Sequence, residues 1–188
     1  MGQLNGSEIL AKALKREGVE ELFFLMGGPM LTAEAATIQE GIRCIDVRHE
    51  QAAAMMAQAY SRLRQKPGFC MAASGPATIN LSTGLANALI DCCPVVALGG
   101  ASPMLGNGKQ VFQEIDQMEI MSGCVKYAAR IYDARRIPEM LNVAIQKAMS
   151  GKPGPVYLDL PGDTLYQMVD EDAIDWSQSG RAILKIGR

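Results

Sequence analysis

The 188-residue chain has one histidine, His49, which excludes any site that needs two imidazoles. A Ser-His-Asp or Cys-His mechanism would hang on that single residue. Long apolar runs are also missing. None approaches the roughly 20 residues that span a bilayer, and no charged segment followed by a hydrophobic stretch opens the chain. No membrane partner is expected, and the simple expectation is a cytoplasmic location. Neither charge sign dominates: 18 Lys and Arg stand against 20 Asp and Glu, for a formal net charge of −2. That balance supplies no broad electropositive face, so nucleic acid is not an expected partner. The five cysteines, Cys44, Cys70, Cys92, Cys93 and Cys124, are odd in number and show no CxxC spacing. They read as buried thiols of a reducing compartment, without a zinc site. Cys92 and Cys93 are adjacent, which permits redox chemistry, but packing between a helix end and a strand is the simpler reading. Phosphate cradles are lacking as well. Gly106-Asn107-Gly108-Lys109-Gln110 has neither the spacing nor the Ser or Thr of a P-loop, and no third glycine completes a dinucleotide fingerprint.

What is present is an alternation of short apolar runs with longer helical patterns, switched by Gly, Pro or a capping residue. Hydrophobic residues make up 48% of the chain, enough for one substantial core. Asn5 with Glu8 forms a capping-box pattern ahead of Ile9, Leu10, Ala13 and Leu14, and Gly18 stops that helix. Strands are predicted at 21–25, 43–47, 69–73, 95–99, 125–131 and 156–160. Helices are predicted at about 30–40, 50–64, 78–91 and 116–121, with another that Pro138 opens and Gly151 closes. Six strands separated by helices imply an α/β fold: a three-layer domain with a mostly parallel six-stranded sheet covered by helices on both faces. Ligands of such a sheet gather at the carboxyl ends of its strands. Past 161–163 the apolar rhythm weakens. The expected organisation is one domain over 1–165, followed at 166–188 by a linker or the start of something larger.

Glu50 directly follows the second strand and opens the next helix, which puts its carboxylate at the ligand-bearing edge. By position alone it is a first-turn acid that complements the helix dipole. Its surroundings argue for more. Ala52, Ala53, Ala54, Met55, Met56 and Ala57 make a small, apolar neighbourhood that suits a flat heterocycle. His49, about 100° away around the helix, reads as a packing or capping residue. Gln113, Glu114 and Asp116 fall in an irregular stretch after the fourth strand. As isolated residues they are ordinary solvated surface.

Taken in order, several segments resemble one family. Arg48-His49-Glu50-Gln51-Ala52-Ala53-Ala54, Lys66-Pro67-Gly68-Phe69-Cys70, Ser74-Gly75-Pro76-Ala77-Thr78-Ile79-Asn80, Phe112-Gln113-Glu114 and the closing 151–161 segment are similar to the pyrimidine-binding domain of acetolactate-synthase-like thiamine diphosphate enzymes. The resemblance covers about residues 4–165. It implies a thiamine diphosphate cofactor and makes Glu50 the catalytic residue that hydrogen-bonds the pyrimidine nitrogen N1′, activating the thiazolium C2. Gly27, Pro29 and Asn80 would border the cofactor, while Gly28 and Gln113 would face the substrate. The chain departs from the family pattern at Ala77, where glycine is usual, and at Gly28, where an apolar residue is common. Gly162-Asp163-Thr164 is not the Gly-Asp-Gly segment that anchors the diphosphate through Mg²⁺. Metal and diphosphate would therefore be held by another domain, and the chain is expected to be a fragment or a subunit of a split enzyme.

The implied activity is cleavage or formation of carbon–carbon bonds next to a carbonyl, on a small 2-oxo acid or a 2-hydroxyacyl- or acyl-CoA. Gly99-Gly100-Ala101-Ser102 and Asp116-Gln117-Met118 look closer to the 2-hydroxyacyl-CoA lyase, oxalyl-CoA decarboxylase and benzaldehyde lyase branch. The alternatives are the N-terminal domain of an acetolactate synthase catalytic subunit, or a nucleotide-binding or interaction module without chemistry. A homodimer or tetramer is expected, with the small residues at 52–54 and 84–86 packing across a twofold axis.

Overall fold

A computed structural model describes residues 2–180 of the chain. In chain order the elements are β1 (Gln3–Asn5), α1 (Gly6–Arg16), β2 (Glu21–Leu25), α2 (Leu31–Gln39), β3 (Arg43–Asp46), α3 (Glu50–Arg64), β4 (Gly68–Ala72) and α4 (Pro76–Asn80). They continue with α5 (Ser82–Ile90), β5 (Val95–Ala101), α6 (Gln117–Ser122), β6 (Tyr127–Arg130), α7 (Ile137–Met149), β7 (Val156–Pro161), α8 (Gly162–Tyr166) and β8 (Met168–Asp170). The expected caps form. Asn5 Oδ1 accepts from the Glu8 amide while Glu8 Oε2 accepts from the Asn5 amide, and Pro138 occupies the first turn of α7.

Six strands form a wholly parallel sheet in the order β3-β2-β4-β5-β7-β6. The two-residue period of a strand divides its side chains between two cores. Leu22, Phe24, Phe69, Met71, Val96, Leu98, Val156 and Leu158 join the core that α1 and α7 cover. Phe23, Cys70, Ala72, Val95, Ala97 and Tyr157 point the other way, into the core that α3 and α5 cover. The second core is rich in alanine, so its helices lie close to the sheet. A Cβ added at Gly68 would stand 2.0 Å from the Ala57 carbonyl oxygen.

The expected helix at 30–40 begins as a tight 3-10 turn over Gly28–Met30 before α2. The helix expected at 78–91 starts two residues earlier, at Pro76, and is two helices. At Leu81 the amide bonds the Thr78 carbonyl three residues back, which tightens one turn between α4 and α5. The strand expected at 125–131 is ordered as a ladder only over β6. A further feature was not expected: β1 pairs antiparallel with β8, placing Leu4 opposite Val169. Val169 and Ile174 are buried against the first core and Trp176 packs on its rim. The expectations for residues 181–188 lie outside the described residues.

The small residues of α3 and α5 are used within the chain. Ala53 and Ala54 are fully buried, and a Cβ at Gly84 would come within 2.6 Å of Ala54 Cβ. Ala52 and Ala86, on the same two helices, are half-buried. A symmetric interface there would need the outward residues of these helices.

Candidate functional site

Strand ends and helix starts converge at the carboxyl edge of the sheet. α3 begins there because His49, in extended conformation, caps it: Nδ1 accepts from the Gln51 amide at 3.1 Å. His49 is exposed and acts as a cap, as its position predicts. Glu50 is the first helical residue, where a negative charge complements the dipole. Only 7% of it is exposed. Its Oε2 accepts from Asn80 Nδ2 at 2.9 Å, and no ion pair to Glu50 exists among the described residues. Oε1 has no partner among the described residues and is not one of the sealed, unsatisfied atoms. One oxygen is thus fixed by an amide, and the other is left for a ligand.

The second group forms around Gln113. Ser74 Oγ donates to Gln113 Oε1 at 2.6 Å. Gly28 lies beside them, with the position of its absent Cβ 3.4 Å from Ser74 Oγ and 3.8 Å from Gln113 Oε1. Gly75 has φ +59°, and a Cβ there would stand 2.4 Å from the Gln113 carbonyl oxygen. Gly75, then, is the position in this turn that requires glycine. Ala77 sits in the regular first turn of α4, half-buried, and its methyl group needs no unusual backbone. Gln113 itself has φ +59°, an uncommon conformation for a residue with a long side chain. Gly27 approaches Ala73 and Pro29 approaches Gly100, so the turn after β2 rests on the ends of β4 and β5. Gly28 and Gln113 are therefore brought together, as are Glu50 and Asn80. α4 joins the two groups, with Ser74-Gly75 before it and Asn80 at its end. A helix of that length spans about 7.5 Å.

Other polar residues of the irregular stretch have structural tasks. Glu114 accepts from the Gly108 and Val111 amides, which clasp the loop between them; these backbone donors, Gly108 first, hold its carboxyl below the ordinary range. Asp116 caps α6 by accepting from the Glu119 amide. The cysteines are free thiols. Burial pushes Cys70 up to about 12, and burial together with the nearby Glu34 carboxylate pushes Cys44 up to about 11, so both are neutral packing groups at physiological pH. Cys92 and Cys93 lie between α5 and β5, where packing was expected.

Gln117, read in the sequence only as part of the Asp116-Gln117-Met118 motif, has a role that was not legible there. Gln117 is 1% exposed, and its amide is the centre of a buried network. Nε2 faces the Gly100 carbonyl at 2.8 Å, Tyr157 Oη at 2.7 Å and Asp159 Oδ1 at 2.5 Å; Oε1 accepts from the Gly75 amide at 2.9 Å. Tyr157 donates to the same Asp159 oxygen, and Arg130 Nε donates to the other at 2.5 Å. Burial and the Asp159 charge push the Tyr157 phenol well above its ordinary range. Arg130 reaches outward from this network to line a cleft of about 420 Å³ together with Ser102, Asn107, Ile115 and Tyr132. That cleft lies beside the Gln113 loop rather than at Glu50. The same edge carries exposed apolar side chains, among them Met26, Leu105, Phe112 and Tyr132.

Among the described residues no cluster of three or more His, Cys, Asp or Glu is placed to hold a metal ion, and no helix is long and apolar enough to cross a membrane. Residues 4–120 match the thiamine pyrophosphate enzyme N-terminal TPP-binding domain. The chain is 38% identical over 177 residues to chloroplastic acetolactate synthase of Arabidopsis thaliana, covering 94% of this chain and 26% of that protein. It is 37% identical over 175 residues to the acetolactate synthase isozyme 2 large subunit of Escherichia coli, covering 92% and 31%. To 2-hydroxyacyl-CoA lyase 2 of Caenorhabditis elegans it is 40% identical over 162 residues, covering 86% and 25%. The chain thus spans between a quarter and a third of the length of these relatives. With a parallel sheet whose carboxyl edge presents a part-satisfied buried glutamate, and a family match over more than half its residues, the chain belongs to the N-terminal TPP-binding domains of thiamine pyrophosphate enzymes.

Proposed function

We propose that this chain forms the pyrimidine-binding half of an active site that cleaves or joins carbon–carbon bonds next to a carbonyl, with Glu50 as the catalytic residue. The observation that carries the proposal is the Glu50 carboxylate: 7% exposed, fixed through Oε2 by Asn80, and open at Oε1 on the ligand-bearing edge. Thiamine diphosphate, when bound, supplies the thiazolium nucleophile and the electron sink. Glu50 holds a proton at the pyrimidine nitrogen N1′ through Oε1. Asn80 prevents the carboxylate from rotating away, and its burial keeps water from competing for the proton. Gly27 and Pro29 border the cofactor, whereas Gly28 and Gln113 face the substrate, their side of the edge being set by the Ser74–Gln113 contact.

The reading extends to parts outside the described residues. Mg²⁺ and the diphosphate are held by a second domain, of the same chain or of a partner subunit in a homodimer or tetramer. The exposed apolar side chains at the carboxyl edge support such a cover. Substrates are a small 2-oxo acid or a 2-hydroxyacyl- or acyl-CoA; the relatives named as acetolactate synthases and 2-hydroxyacyl-CoA lyases support that range. The five free thiols support a reducing compartment such as the cytoplasm.

Glu50→Gln in the full-length enzyme tests the proposal. Exchange of the cofactor C2 proton for deuterium, read by NMR after acid quench, is expected to slow by about 10²-fold or more, the ordinary range for loss of a positioned acid–base group. Exchange at the unmutated rate would overturn the role of Glu50.

A further inference from the structure

We infer that Gln117 is a positioning residue that sets substrate turnover by holding Gln113 in place through the Gly75 peptide. The inference rests on the proposed function above and adds a residue to it. Gln117 touches neither the Glu50–Asn80 pair nor the open edge. Its effect passes through a short chain of contacts.

The geometry leaves this amide one orientation. A carboxamide has two donors on nitrogen and an acceptor oxygen, and its flip state is read from its partners. Here the nitrogen faces three acceptors, the Gly100 carbonyl, Tyr157 Oη and Asp159 Oδ1, and the oxygen faces one donor, the Gly75 amide. A flipped amide would set its oxygen against the buried Asp159 carboxylate and its nitrogen against an N–H. Asp159 is fully buried and is itself fixed by Tyr157 and Arg130. The end of β5, the middle of β7 and the start of α6 are thereby tied to a single side chain.

What that side chain controls is the turn before α4. The Gly75 peptide, with φ +59°, lies so close to Gln113 that even a methyl group would stand 2.4 Å from the Gln113 carbonyl oxygen. Ser74, the preceding residue, donates to Gln113 Oε1. Gln113 adopts φ +59° without the freedom of glycine, so its conformation must be imposed by its neighbours. Gln117 fixes Gly75, Gly75 packs on the Gln113 backbone, and Ser74 orients the Gln113 side chain. Release of the first contact lets the last one drift, and a displacement on the order of 1 Å near reacting atoms costs about 10²-fold in rate.

The test compares Gln117→Met, Gln113→Ala and the double variant in the full-length enzyme, with pyruvate and a 2-hydroxyacyl-CoA as the substrates tried. Two readouts are taken: kcat/KM, and C2-proton exchange of bound thiamine diphosphate. Gln117→Met is expected to lower kcat/KM by about 10²-fold, at least ten times more than it lowers exchange, because Gln113 sits on the substrate side and Glu50 on the cofactor side. The double variant is expected to be no worse than the poorer single variant, since both act through one side chain. Gln117→Asn keeps a carboxamide, with its donors and its acceptor, at one carbon's shorter reach and is expected to fall between the unmutated enzyme and Gln117→Met; it also serves if the Met variant does not fold. Losses that multiply in the double variant, or equal losses in turnover and exchange, would overturn the inference and leave the role of Glu50 standing. Absence of exchange in the unmutated enzyme would overturn the cofactor reading, and this inference with it.

Discussion

Glu50 and Asp159 are both carboxylates withdrawn from water at the same end of the sheet, yet their surroundings give them opposite tasks. Asp159 is closed off: Gln117 and Tyr157 occupy one oxygen and Arg130 the other. Glu50 keeps an oxygen open and has no cation beside it among the described residues. A carboxylate fully satisfied by its own chain braces structure, and one left half-satisfied can meet a ligand. The difference gives a direct prediction for Arg130→Ala. A buried ion pair contributes little when intact but leaves an uncompensated charge when one partner goes, at a cost of about 3–5 kcal/mol. Because Arg130 is 25% exposed and Gln117 and Tyr157 remain, the expected loss is at the low end, about 3 kcal/mol, read as a lower urea midpoint of the full-length chain. A loss under about 0.5 kcal/mol, the scale of an exposed pair, would show that water replaces the guanidinium. At this scale the sequence was only partly informative. Glu50 could be singled out through the ordered motifs around it, whereas Gln117 stood out only as one residue of a branch motif in a short helix, because its structural task comes from β5 and β7, 17 and 42 residues away in the chain.

At the scale of elements, the periodic patterns were legible and the close approaches were not. Period-2 and period-3.6 hydrophobicity located the six parallel strands and the long helices, because each buries a continuous stripe. β1 and β8 escaped notice, being only three residues each, and their pairing is visible only when both ends of the domain are brought together. The small residues of α3 and α5 were noticed, but not the contact they make within the chain. They seat α3 against α5 and β4, and that seat puts Glu50 within reach of Asn80. Gly84→Ala isolates the effect. Alanine favours a helix by up to about 1 kcal/mol over glycine. Its Cβ would lie 2.6 Å from Ala54 Cβ and 3.1 Å from the Met55 amide nitrogen, and overpacking of that kind costs about 1–3 kcal/mol. The expected result is a net loss of stability with weakened thiamine diphosphate binding, measured by thermal unfolding and cofactor titration. A stabilised variant would mean that α3 slides without strain.

For the whole molecule, the distribution of exposed apolar side chains carries the most weight. Isolated surface leucines and methionines are ordinary, and Ile38 on α2 needs no explanation. Four others follow strand ends at the same edge: Met26 after β2, Leu105 and Phe112 after β5, and Tyr132 after β6. Phe112 is 85% exposed although Gln113 and Glu114 beside it are held by hydrogen bonds, so a phenyl ring is presented to solvent on an anchored loop. That arrangement is wasteful for a domain standing alone and sensible for one that is covered. If a diphosphate-holding domain closes on this edge, the cover must reach both Phe112 and the open oxygen of Glu50. Hydroxyl-radical footprinting of the full-length assembly is therefore expected to show Met26, Leu105 and Phe112 oxidised several-fold more slowly than their exposure in this domain implies, with Ile38 unchanged. Equal reactivity at all four positions would place the partner elsewhere and leave Glu50 without the domain needed to complete its site.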